Sequence, residues 1–412
     1  MTTDPARTDT DPAVGPASGG GAPDVDLLDP AVHATRDLTE VWRWLRDHDP
    51  VRRYAGCWAV TRHADVLRVA RDTTHFTSLR GNMLDTLLRG HDAGAGRMLV
   101  VTDGPFHTGL RRLLADGFGP RTLGAVTGSI ARAATDLVAG IVARGGGDLV
   151  AEVAAQIPLR AICELLGVPE ADQPRVLELT NAAMLAAADD GIDLAARIAR
   201  SEILLYYTHL AAGRRDVPGA DVVSRLVTGT VDGRPLTDEE VLLNCYNLII
   251  GGDETARLAL AGGVLALAER PDAWARLRAD ADVVEPATEE VLRWTSPAAH
   301  VGRTVTAATE LAGRTLVPGD VVTLWLVSAN RDERVFAAPD AFDPGRRPNR
   351  HLTFGYGAHF CLGAQLARAE IRAVLTALRR TVAAVEVAGP VTRIPSTFIT
   401  GVETLPVRLT PA

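Results

Sequence analysis

One stretch, His351-Leu-Thr-Phe-Gly-Tyr-Gly-Ala-His-Phe-Cys-Leu-Gly-Ala-Gln-Leu-Ala-Arg-Ala-Glu370, constrains this chain more than any other. Gly355 and Gly357 permit backbone conformations and close approaches that a Cβ would forbid. Behind them Leu362, Leu366, Ala369 and Ala373 recur at helical spacing on one face. The pattern predicts a glycine-bracketed loop running straight into a helix, with Cys361 at the helix N-terminus.

A thiolate at that position gains from the partial positive charge and free N–H groups of a first helical turn. It could ligate a soft metal or haem iron. The alternative is a small buried thiol packed between loop and helix, a common fate of free cysteine. The surrounding residues decide between them. Phe354-Gly-x-Gly-x-His-x-Cys361-x-Gly363 resembles the haem-binding signature of the cytochrome P-450 haem-thiolate monooxygenases, with all six specified positions of the ten filled. The resemblance implies a mainly α fold with a small β region, a helix-rich triangular prism enclosing haem b (iron protoporphyrin IX). It makes Cys361 the axial iron ligand.

The bulk properties agree. The 412 residues can bury a large cofactor, and 43 basic against 51 acidic side chains, a formal charge of -8, speak against nonspecific nucleic-acid binding. Every cationic residue other than histidine is Arg. Cys57, Cys163, Cys245 and Cys361 are far apart, without the pairing of a zinc site or a disulfide framework. Residues 1–30 are rich in Asp, Pro, Gly, Ala and Thr and lack a signal-peptide pattern, so we expect a disordered leader followed by a single haem domain over 31–412. The apolar run Val241 to Ile250 is broken by Asn244 and Asn247 and falls short of the ~20 residues of a membrane span. A cytoplasmic monomer without membrane contact is expected.

Along the chain, Leu38 to Leu45 and Ala64 to Arg71 read as helices around a strand-like Cys57 to Thr61. From Phe76 to Val101 scattered glycines suggest a mobile loop bordering a pocket. His107 and Arg111 stand at i, i+4 behind Pro105, on one helix face. By themselves they could form a solvated basic face; the resemblance implies that they bind haem propionates, together with Arg303 and His359. Residues 128–143, 151–166, 172–188 and 194–213 read as helices, and the Ala-rich part around Met184 suits a moving lid.

Thr237-Asp-Glu-Glu240 is a capping box that opens a long apolar helix. Gly251 and Gly252 each weaken a helix interior by about 1 kcal/mol, which predicts a distortion or a close approach. Glu254 and Thr255 follow. A plain kink with a surface Glu is the alternative; the resemblance implies an acid–alcohol pair organising proton delivery, on a helix whose glycines face the cofactor. The family more often has Ala where this chain has Gly251. Glu290, Arg293 and Arg346 match a buried structural ion-pair network. Leu311 to Leu326 reads as strand, Pro318-Gly319 turn and strand.

The resemblance implies insertion of one oxygen atom from O2 into an organic substrate. Phe354, Gly355 and Gly363 would surround the sulfur side of the cofactor. Ile249, Ala298, Ala299, His300, Val301, Phe398 and Ile399 are the expected substrate-pocket residues, with His300 facing substrate or solvent. About fifty residues follow Cys361, so electrons are expected from a separate ferredoxin and ferredoxin reductase docking near Arg112, Arg368 and Arg372. Oxidative coupling, desaturation, N-oxidation and peroxide-driven oxidation are alternatives on the same scaffold. A haem-based sensor or carrier is the non-enzymatic one. The wording of Gly251 to Arg257 and Arg293 to His300 is similar to that of bacterial members of natural-product pathways, some acting on carrier-protein-bound small molecules.

Overall fold

The computed structural model describes residues 23–185 and 194–412. Most of the expected leader, and residues 186–193 of the expected lid, lie outside them. The packed body starts ahead of the expected boundary at residue 31: Val25 and Leu27 are buried in a cluster with Trp42, Leu45 and Trp325.

The helix Asp238–Ala268 is the spine of the molecule. Thr237 accepts from the Glu240 N–H, and the Glu240 side chain accepts from the Thr237 N–H, which completes the expected capping box. The helix runs unbroken through Gly251 and Gly252, where the sequence predicted a distortion or a close approach. Packing outweighs the glycine penalty there, since Ile162 of the neighbouring helix Gln156–Leu166 sits where a Gly252 Cβ would come within 3.0 Å. Nothing lies within 4 Å of a Cβ on Gly251, which faces a cavity. Asn244 interrupts the apolar run for a reason: its side chain accepts from the Leu99 N–H and donates to the Arg97 carbonyl. These bonds tie down the stretch expected to be a mobile loop. Its start forms a short strand, Phe76–Thr77.

The helix Pro120–Ala143 includes one segment, Thr122–Ala143, long and apolar enough to cross a membrane by length and composition. In the fold only one face of it is buried. Val126, Ile130, Ala134, Val138 and Ile141 form one buried stripe, and the helix packs on Ala364–Thr381. A five-stranded sheet takes Val51–Tyr54, Cys57–Val60, Val321–Trp325, His300–Val305 and Phe76–Thr77 in that spatial order. The expected strand–turn–strand of residues 311–326 is a small hairpin, Thr309–Leu311 with Arg314–Leu316, followed by the sheet strand Val321–Trp325.

Glu290 on the helix Val284–Thr295 is wholly buried. Its carboxylate accepts two bonds from Arg293 at 2.8 Å each, one from Arg346 Nε at 3.0 Å, one from the Asp343 N–H at 2.8 Å and one from Asn349 at 3.1 Å. The two guanidiniums spend their remaining N–H groups on the carbonyls of Asn330, Ala337, Ala338, Pro339 and Ala341. Every charge is met. Glu290→Ala would strand both arginines, and we predict a loss of about 3–5 kcal/mol in unfolding free energy by denaturant titration.

Candidate active site

Cys361 is set by its own loop. Gly355, at φ 66°, donates its N–H to the Leu352 carbonyl, and the Cys361 N–H closes the loop onto the Phe354 carbonyl at 2.9 Å. Gly357, at φ 76°, lies so near the Ala70 carbonyl that a Cβ would come within 2.7 Å. The following helix begins at Ala364 with Gly363 as its cap, so the cysteine sits just ahead of the first turn. Its side chain opens onto a cavity of about 300 Å3. Burial raises the Cys361 thiol above its ordinary range, against the Gly363 N–H and the charges of Arg111 and Arg368. Phe354, Gly355 and Gly363 line the same wall.

At one edge of the cavity His107, Arg111, Arg303 and His359 converge. The two imidazoles lie against each other with centroids 4.4 Å apart, tilted by 35°. His107 Nε2 is buried with no partner among the described residues, and burial, then His359 and Arg111, push the ring down to about 4. Among the described residues Arg303 makes a single hydrogen bond, to the Gly302 carbonyl, and burial lowers it to about 10. Asp103, which the sequence reading missed, bonds His359 Nε2 at 2.7 Å and also accepts from Thr77 Oγ1 and the Ser78 N–H. Although burial opposes it, these bonds hold its carboxyl well below the usual range. One carboxylate against two arginines and two imidazoles leaves the edge short of anions. Its one sequence signal was its place just before Gly104-Pro105.

The wall opposite comes from the central helix. Asn247, Leu248, Gly251, Gly252, Thr255, Ala256 and Ala259 line it, steps of three and four on one helical face. That phase explains a correction: Ile249 points away and is buried in the main core. It also supplies Asn247 and Leu248, which were legible from the spacing but overlooked. Thr255 Oγ1 donates to the Gly251 carbonyl at 3.3 Å. Glu254 is off the wall, buried and paired with Arg257 at 2.5 Å.

Strand alternation sorts the remaining pocket residues. Val301 and Arg303 face the cavity from one side of their strand. His300 therefore faces away, into neither cavity nor solvent: it packs between Trp325 and Phe398, with Nδ1 bonded to the Thr397 carbonyl at 2.9 Å and Nε2 without a hydrogen-bond partner among the described residues. Ala299 is buried with Trp325 in another cluster. Ala298 and Phe398 reach the wall; Ile399 instead bridges Ala298 through its backbone. Asn82 joins them from the tied-down stretch that begins at Phe76.

Comparison with known proteins meets this geometry. The family model described as Cytochrome P450 matches residues 213–381. The chain is 42% identical to Cytochrome P450 NovI of Streptomyces niveus over 392 residues, covering 94% of this chain and 96% of that one. It belongs to the cytochrome P450 family. It is also 35% identical to the steroid C26-monooxygenase of Mycolicibacterium smegmatis over 95% of this chain and 97% of that one. Among solved structures, the P450 OxyD involved in biosynthesis of vancomycin-type antibiotics superposes with a TM-score of 0.85 at 37% identity, over 94% of this chain and all of that one. The hydroxylase HmtN of himastatin biosynthesis gives 0.81 at 30% identity, over 93% of this chain and all of that one.

The protein is thus a P450 monooxygenase with the mainly helical P450 fold and small sheets, and the family implies a haem-thiolate cofactor. The residues present fit that group. A cysteine opens on the cavity, a glycine face leaves room opposite, and the anion-poor edge, with its orphaned His107 Nε2, suits carboxylates.

Two predictions follow from these environments. Arg303→Leu should speed haem loss to an acceptor protein about tenfold or more, since a hydrogen bond to a charged group is worth about 1.5–3 kcal/mol; release at the parent rate would deny Arg303 a part in retention. Burial lowers His300 from 6.5 to about 4. Unfolding then takes up a proton between those values, so stability is lost as pH falls through that window. His300→Phe should reduce the pH slope of unfolding free energy there by up to one proton.

Proposed function

We propose that this P450 inserts one oxygen atom from O2 into a small organic substrate of a bacterial natural-product pathway, most simply as a hydroxylation, with Cys361 as the thiolate ligand of haem b. The supporting observation is that Cys361, Thr255 and the His107–Arg111–Arg303–His359 edge open on one otherwise largely apolar cavity. NovI, OxyD and HmtN lend the pathway reading, the last two through their stated roles in antibiotic and himastatin biosynthesis.

Held through sulfur, haem supplies the oxidising chemistry, and thiolate donation favours O–O cleavage over reversible oxygen carriage. The chain supplies the rest. His107, Arg111, Arg303 and His359 would hold the cofactor's carboxylates, and Phe354, Gly355 and Gly363 would pack about the sulfur while Gly251, with nothing within 4 Å of its Cβ position, leaves room for the flat ring. Thr255 presents a hydroxyl to the cavity and keeps it oriented through the Gly251 carbonyl. Glu254, next to it in the chain, is held on the Arg257 pair, and in this reading it serves the hydroxyl only when that pair opens. Leu248, Ala298, Val301 and Phe398 exclude water and give the substrate an apolar bed, with Asn82 and Asn247 as the amides that orient it.

Electrons come from a ferredoxin and its reductase in the cytoplasm, at the face near Arg112. Arg368 and Arg372 are each bidentate on an acid, Glu289 and Glu285, so that face carries less free positive charge than its arginines suggest. Carrier-protein-bound substrates remain within this reading.

Thr255→Ala should leave electron consumption near the parent rate while product per NADH falls severalfold and peroxide rises; unchanged coupling would remove Thr255 from proton delivery. Titrating the ferric protein with candidate metabolites, free and carrier-bound, should move its Soret band when the right class binds.

A further inference from the structure

His300 stays out of the cavity, yet its side chain holds a segment that reaches into it. Its Nδ1 bonds the Thr397 carbonyl at 2.9 Å, which places the ring proton on Nδ1. The same ring stands edge-on to Phe398, with centroids 5.7 Å apart at 78°. Phe398 lines the cavity wall, whereas His300 is wholly buried behind it.

Residues 394–401 form a mostly irregular tip. Its backbone is fastened to the chain just ahead of His300: the Ala299 N–H donates to the Phe398 carbonyl at 2.8 Å, the Thr400 N–H to the Pro297 carbonyl at 2.9 Å, and Ile399 bridges Ala298. Within the tip, Ser396 Oγ accepts from the Phe398 and Ile399 N–H groups at 3.1 and 3.2 Å. These bonds fix the backbone and leave the direction of the Phe398 side chain to its packing. Among the described residues, His300 is the side chain from outside the tip that bonds its backbone, and it does so one residue before Phe398 while also touching the Phe398 ring.

The imidazole is braced from behind. Trp325 lies 4.9 Å from it and is itself wholly buried, with Trp42 at 5.1 Å and His33 stacked on it at 5.4 Å. His33 is tied by Nε2 to the Leu27 carbonyl at 2.9 Å. A column of rings therefore runs from the first packed residues of the chain to the cavity wall. His300 Nε2 has no hydrogen-bond partner among the described residues, a cost that an apolar side chain of similar size would not carry. What the imidazole adds, and an apolar ring could not, is the bond to Thr397.

We propose that His300 is a positioning residue that holds Phe398 against the cavity and so sets how tightly the protein binds a substrate presenting an aromatic ring to that wall. The proposal rests on reading the cavity as the substrate pocket of an oxygenase, and it deepens that reading by naming a residue outside the pocket that shapes it.

The test uses the ferric holoprotein and two probes that bind through the haem iron, imidazole and 4-phenylimidazole, each followed by the Soret shift. The second adds an aromatic ring that needs an ordered apolar wall. His300→Phe keeps a buried ring but has no donor for Thr397. It should weaken 4-phenylimidazole about tenfold, the scale of one misplaced apolar contact in a pocket, and leave imidazole at the parent affinity. In a Phe398→Ala background the same substitution should weaken 4-phenylimidazole no further, because His300 acts through Phe398. Parent affinity for 4-phenylimidazole in His300→Phe, an equal loss for both probes, or a loss that persists in the Phe398→Ala background would overturn the proposal. Should His300→Phe not retain haem, His300→Leu makes the same comparison. A parent protein whose Soret band imidazole does not move bears on the haem-thiolate reading, whereas a responsive parent with an unaltered variant sinks the role of His300 alone.

Discussion

The Glu290 carboxylate holds more than its own neighbourhood. Arg293, which it positions, donates to the Asn330 carbonyl; the Asn330 side chain in turn donates to Ser296 and Thr353 and accepts from the Leu352 N–H. Thr353 returns to the helix through the Leu292 carbonyl. From Leu352 the next bond goes to Gly355, and from Phe354 to the Cys361 N–H. A continuous run of buried polar contacts therefore leads from an ion network with no chemistry of its own to the placement of the one cysteine that opens on the cavity. Networks of this kind are strong when every member is met and fail together when one is lost.

The cavity divides its charge unevenly. At the edge near Arg303 donors outnumber acceptors, with Asp103 the carboxylate among them and His107 Nε2 without a hydrogen-bond partner among the described residues. Beside Leu366 the imbalance reverses, since neither carboxyl oxygen of Glu370 has a hydrogen-bond partner among the described residues. The first edge is the one suited to a group carrying carboxylates. Between them the wall is mostly apolar, as a site that must hold an organic molecule dry requires.

Much of this was legible from the chain because the signals are local. The Cys361 loop, the His107–Arg111 turn and the Thr237 capping box each lie within a few residues, and local rules read them well. Gly251 and Thr255 lie on one helical face with Asn247, and Val301 and Arg303 on one strand face; the same periodicities exclude Ile249 and His300, which a neighbourhood reading had included. What the chain could not reveal is what distant segments bring together. Asp103 reaches His359 across 256 positions, and Glu289 neutralises Arg368 across 79. At Gly251-Gly252 the expectation of a distortion or a close approach is met by the second, since Ile162 packs close against Gly252 while the helix runs unbroken.

The most direct measurement of the central claim is the absorption spectrum of the reduced, CO-bound protein, recorded for the parent chain and for Cys361→His. Cys361 as thiolate ligand requires the strongly red-shifted Soret band of sulfur-ligated haem in the parent and its replacement by the band of nitrogen-ligated haem in the variant. A parent protein that shows the nitrogen-type band, or a variant that keeps the sulfur-type band, would contradict it.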